Sequence, residues 1–163
     1  MMKMNEKQSK IVKLLWDFDS LKEEHIIKYC NCDISDIDTL VGNNILDIDE
    51  RTRIVRYKKR NANNRNIAAF DVVMRYLNRN AVVYKGNKWV NVSMKADTGT
   101  YDILAITENE ISYIFQRIDE ISKADKIIIV IQTAKYVSKE MNTKRPYAIC
   151  TYSPLKEVEI KNN

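Results

Sequence analysis

Glycine and proline are scarce, with three Gly and two Pro in 163 residues, which excludes collagen-like and loop-dominated folds. Only Gly42, Gly86 and Gly99 are present, so neither G-x-G-x-x-G nor G-x-x-x-x-G-K-[ST] occurs. The common phosphate-cradling loops are therefore missing, and with them the usual nucleotide-cofactor enzymes. Histidine is rarer still: His25 stands alone, five residues from Cys30. That interval is poor for chelation on one helix, and no motif supplies a nucleophile for His25 to activate. Cys30, Cys32 and Cys150 fall short of the paired sets that hold zinc, so neither metal nor cofactor is expected. An odd cysteine count suits a reducing compartment. The longest apolar run is Ile127 to Ile131, far below the ~18 residues of a membrane span. The first residues, Met1 to Lys7, lack an apolar core and a cleavage site. The expectation is a cytoplasmic protein with no membrane partner.

What is present is an ordinary globular composition, 45% hydrophobic and 30% charged, too apolar for wholesale disorder. Its length suits one domain or two small ones. The net charge of +5 hides a sharp asymmetry along the chain. Residues 13–50 carry 3 basic and 10 acidic side chains, whereas residues 51–95 carry 12 and 1.

The hydrophobic spacing predicts three helices at the start. Ile11, Leu14, Leu15 and Phe18 lie on one face of the first. Ser20 with Glu23 reads as a capping box, which starts a second helix near Leu21 and buries Leu21, Ile26, Ile27 and Cys30. A third helix, capped by Asp33 or Ser35, turns Ile34, Ile37, Leu40 and Val41 inward and stops at Gly42. A hairpin follows: Ile45–Ile48 and Arg53–Tyr57 flank the turn Asp49-Glu50-Arg51-Thr52. Three short helices and a two-stranded ribbon are the layout of a winged helix. Residues 58–66 have no apolar period and read as a basic linker.

The second half reads as a helix through Ile67, Phe70, Val73, Met74 and Leu77. A hairpin follows, 82–84 and 89–94 around the tight turn Lys85-Gly86-Asn87-Lys88. Strands are then expected at Tyr101–Thr107 and, after a Glu108-Asn109 turn, at Ile111–Ile118. Asp119–Lys123 forms at most one helical turn. Lys126–Gln132 is a core strand, Thr133–Met141 a helix and Tyr147–Tyr152 a last strand. The fold class expected is α+β: a winged helix over 1–60, a basic linker over 61–66, and over 67–163 a mixed sheet of α-β-β-β-α-β order.

This layout, with the strand-borne Asp of Thr100-Tyr101-Asp102-Ile103-Leu104, resembles the replication-relaxation proteins of plasmids and conjugative elements. In those, a winged helix precedes a sheet domain like that of PD-(D/E)XK nucleases. The resemblance implies a first metal-binding carboxylate at Asp102. The acid and Lys of the next strand would fall at Gln116 and Ile118. Gln is a poor Mg²⁺ ligand and Ile cannot replace Lys, so an active nuclease site is not expected. Asp102 more simply reads as a turn or solvent residue. Asp71, the other carboxylate that might approach the sheet, reads as a solvent-facing helix position.

The main positive signal is the basic block. Arg51, Arg53, Arg56, Lys58, Lys59, Arg60 and Arg65, with Tyr57, run from the expected wing through the linker. Lys and Arg on phosphates release counterions and supply most non-specific affinity for DNA. The expected third helix carries Asp33, Asp36 and Asp38 and no base, which suits neither phosphates nor a groove. The contacts are therefore expected from wing and linker. The leading expectation is a non-enzymatic DNA-binding accessory protein of a plasmid or conjugative element. The alternative is a homodimer or protein-interaction scaffold that uses the acidic helical region. A metal-dependent nuclease using Asp102 with Gln116 or Asp71 is the third.

Overall fold

The computed structural model describes residues 3–133, 140–152 and 156–162, with the backbone alone over 156–160. These form a mixed α+β structure with five described α-helices and two sheets. The chain divides into two compact units, Met1–Phe70 and Asp71–Asn163. No described helix is long and apolar enough to cross a membrane.

The first unit begins with α1 (Glu6–Phe18), closed at its start by a reciprocal capping box between Asn5 and Gln8. Its stripe of Ile11, Leu14, Leu15 and Phe18 is buried as the spacing predicts. Each such side chain contributes about 1.5–3 kcal/mol. Asp19, at φ 64, ends the helix. The chain then forms β1 (Ser20–Lys22), not the first turn of a helix. The apparent Ser20–Glu23 capping box is pre-empted. Ser20 pairs through its backbone with Arg56, and its hydroxyl accepts the Asn63 N–H at 2.6 Å. Leu21 opposes Val55, and both are fully buried. Helix α2 (Glu23–Cys30) starts only after this strand, with Glu23 and Glu24 in its first turn complementing the helix dipole.

Helix α3 (Ile34–Gly42) is capped by Asp33 with Asp36. It buries Ile37 and Leu40, but Ile34 stays exposed. The hairpin forms where expected, as β2 (Leu46–Ile48) and β3 (Ile54–Tyr57). Asp49 holds its turn by accepting the Arg51 and Thr52 N–H groups and the Thr52 hydroxyl. These donors, the Thr52 N–H first, hold the Asp49 carboxyl below the usual range. The sheet order is β1-β3-β2, all antiparallel. Part of the expected linker is helical: α4 (Asn64–Tyr76) begins within it. Its buried residues Ile67 to Phe70 complete the first core, where the Phe18 and Phe70 rings meet edge to face at 4.8 Å.

The second unit is built on a six-stranded sheet of order β4-β5-β6-β7-β8-β9. Strands β4 (Val82–Lys85), β5 (Val92–Ala96) and β6 (Gly99–Ala105) form an antiparallel meander. Strands β7 (Lys126–Ile131) and β8 (Tyr147–Thr151) continue parallel to β6. β9 (Lys156–Lys161), which the sequence reading does not contain, closes the sheet antiparallel to β8. The β4–β5 connection is longer than the expected tight turn. Gly86 passes so close to the Val90 carbonyl that any Cβ there would collide with it.

The largest departure is Ile111–Ile118, expected as a strand. It is helix α5 (Ile111–Ile121). Thr107 and Glu110 form a capping box around a short 3₁₀ turn, Glu108–Glu110, which leads into the helix. Ile111, Ile114, Phe115 and Ile118 then bury one face at i, i+3, i+4, i+7. That period outcompetes the alternating reading, and the expected turn at Asp119–Lys123 is in part the end of this helix. Ile127, Ile129 and Ile131 of β7 share its core. Ile128 and Val130 on the opposite face are also buried, as in strands covered on both sides. Of the helix expected over Thr133–Met141, residues 134–139 lie outside the described residues. Thr133 and Met141 are irregular.

Candidate nucleic-acid interface

The sequence-predicted basic residues separate into paired and unpaired groups. Arg53, just ahead of β3 at φ 53, reaches Glu23 at the start of α2 and Glu50 in the turn, the latter at 3.2 Å. The Glu23 carboxylate, first of its causes, raises the Arg53 pKa above the usual value. Arg56 on β3 pairs with Asp47, its register partner on β2, at 2.8 Å. Arg60 pairs with Asp19 at 2.8 Å. Among the described residues, no carboxylate pairs with Arg51, Lys58 or Lys59, and all three are exposed. Arg65 lies exposed in the first turn of α4.

Strand alternation sends Arg56 and Tyr57 to opposite faces of β3. Tyr57, half-buried, lies on the same side as Val55. Its ring meets Trp16 of α1 edge to face at 5.8 Å. The Arg60 guanidinium lies 4.8 Å from the Trp16 ring centre and 5.5 Å from that of Tyr57. Trp16 is 60% exposed. The sequence reading did not single it out. Its signal was available: Trp16 falls off the Ile11–Leu15–Phe18 stripe, so α1 cannot bury it. Beside Arg60 an open cleft of about 460 Å³ is lined by Asp19 and residues Asn61 to Arg65.

The acids of α3 have a structural use. Asp36 is buried and accepts hydrogen bonds from the Asn5 side chain at 3.0 Å and the Asp33 N–H at 3.2 Å. The Asn5 amide, first of its causes, holds the Asp36 carboxyl below the usual range. Asp33 pairs with Lys7 at 3.3 Å. Two of the three acids therefore tie α3 to the start of α1.

The expected nuclease positions do not come together as a motif. Asp102 lies within β6 and is buried, not a turn or solvent residue. Its Oδ1 accepts the Ser93 hydroxyl at 2.6 Å and its Oδ2 the Ser122 hydroxyl at 2.7 Å. Gln116 and Ile118 are on α5, the first exposed and the second buried, so neither occupies a strand beside β6. Asp71 is half-buried on α4. An open cleft of about 390 Å³ runs past Asp102, with Tyr84, Lys95, Thr100 and Lys123 on its walls. Cys30 and Cys32 are buried, and burial, ahead of its neighbour Cys32, pushes the Cys30 thiol up to about 12. Comparison with protein-family models, curated proteins and solved structures finds no match.

Proposed function

We propose that this chain is a non-enzymatic DNA-binding protein whose first unit is a winged helix that grips phosphates with its wing and the turn after it. One observation carries the reading: Arg51, Lys58 and Lys59 are exposed cations with no carboxylate partner among the described residues, while their neighbours Arg53, Arg56 and Arg60 are paired. Unpaired cations are the ones whose counterions a phosphate chain can displace. Helix α3 carries no basic residue and so offers a phosphate groove nothing to hold, which argues against a helix-in-groove mode. The resemblance in element order suggests that the DNA belongs to a plasmid or conjugative element. A nuclease role has less support, because both Asp102 oxygens are already taken by hydroxyls.

Fluorescence anisotropy on duplex DNA over a salt series tests this. Three phosphate contacts predict a log–log slope of about −3. Lys58→Ala with Lys59→Ala flattens it to about −1. No binding at ~50 mM salt, or no slope, defeats the reading. A second reading, a dimeric scaffold, is favoured by β4, an edge strand with Val82 and Tyr84 exposed. A dimer in light scattering without DNA affinity would select it.

A further inference from the structure

We propose that Trp16 is a stacking platform for an unpaired base, so that this surface prefers single-stranded DNA to closed duplex. The proposal rests on the phosphate-binding reading and adds the form of the substrate. Trp16 is the most exposed of the large hydrophobic side chains among the described residues, at 60%. It is nevertheless held in place. Tyr57 meets it edge-on at 81°, and Arg60 lies over it at 4.8 Å. Arg60 is itself fixed by Asp19. The indole is therefore oriented before any ligand arrives, which lowers the ordering cost of binding. A base presents a π-face to such a ring only when it is unstacked, and a duplex keeps its bases covered. Lys58 and Lys59, in the turn that leads to Arg60, supply unpaired cations for the flanking phosphates. The cleft beside Arg60 is lined by asparagine and arginine residues with one alanine, and its one acid, Asp19, is already paired with that arginine.

The test compares anisotropy of the full chain on oligo(dT) and on a duplex of equal length. Wild type is expected to bind oligo(dT) more tightly. Trp16→Ala is expected to lose about 5- to 100-fold on oligo(dT) and to stay within about twofold on duplex. Trp16→Phe retains most of the affinity. In a Trp89→Phe chain, Trp16 is the only tryptophan left, and its emission is expected to quench on oligo(dT). A Trp16→Ala variant that loses nothing, or loses equally on both polymers, overturns the proposal. Normal duplex binding with an oligo(dT) affinity indifferent to Trp16 removes the stacking proposal alone. A wild type that binds neither polymer removes the phosphate reading with it.

Discussion

Asp102 shows what burial does to the meaning of a single acid. In the sequence it is one carboxylate near a turn. In the fold it accepts one hydroxyl on each oxygen, from Ser93 on the neighbouring strand and Ser122 after α5. Asp102→Ala strands both hydroxyls and is expected to destabilise the protein by about 1–3 kcal/mol. The urea midpoint measures this. An unchanged midpoint would show that the two hydroxyls find other acceptors. The cysteines make a parallel case. With all three buried and the Cys30 thiol raised to about 12, almost no Cys30 thiolate exists at ~pH 8, and the thiolate is the reactive form. Ellman's reagent is expected to label the folded chain slowly and the urea-unfolded chain at all three positions. Rapid labelling of the folded chain would contradict the burial.

At the scale of the element, α5 is the instructive one. Its sequence fits a strand if Ile111, Tyr113 and Phe115 are weighed, and a helix if Ile111, Ile114, Phe115 and Ile118 are. The Thr107–Glu110 capping box decides between them. The end of the helix is secured from a distance: Arg145 donates to the Ile118 and Ala124 carbonyls and to Asp119. Nothing in the spacing of residues 119 and 145 announces that bond. The Thr143 hydroxyl, then Arg145, hold the Asp119 carboxyl below the usual carboxylate range. A folded-state value below the unfolded one stabilises the fold above about pH 4, and that stability is lost as pH falls further. Asp119→Asn is therefore expected to lose less stability than wild type between about pH 6 and about pH 3, read as urea midpoints. Equal losses would assign the acid sensitivity elsewhere. Strand β1 shows the opposite failure. Three residues between two helices carry no strand period, and the local Ser20–Glu23 pattern points the wrong way. Only the partner strand, more than thirty residues on, specifies β1. The hairpin and α3 were legible because their signals, a polar turn and an Asp cap, are local.

For the molecule as a whole, the charge asymmetry along the chain is partly cancelled in space within the first unit. Glu23, Asp47, Glu50 and Asp19, all from the acidic stretch, lie against Arg53, Arg56 and Arg60 from the basic one. The sequence alone displays seven arginines and lysines between residues 51 and 65. The fold leaves fewer for an external partner. Asp47→Asn releases Arg56 and is expected to steepen the salt slope on DNA by about 0.9. An unchanged slope would place Arg56 outside the interface. The six-stranded sheet has a further consequence. Its spatial order repeats its chain order from β4 to β9, so every strand's partner is the next one made. Folding of this sheet can proceed as a zipper with modest loop closures, the longest being the excursion through α5 between β6 and β7. The parallel pairings on either side of β7 join residues 20 to 25 apart in the chain, the slower kind of contact to form, so β7, apolar on both faces, is open to wrong partners until they close.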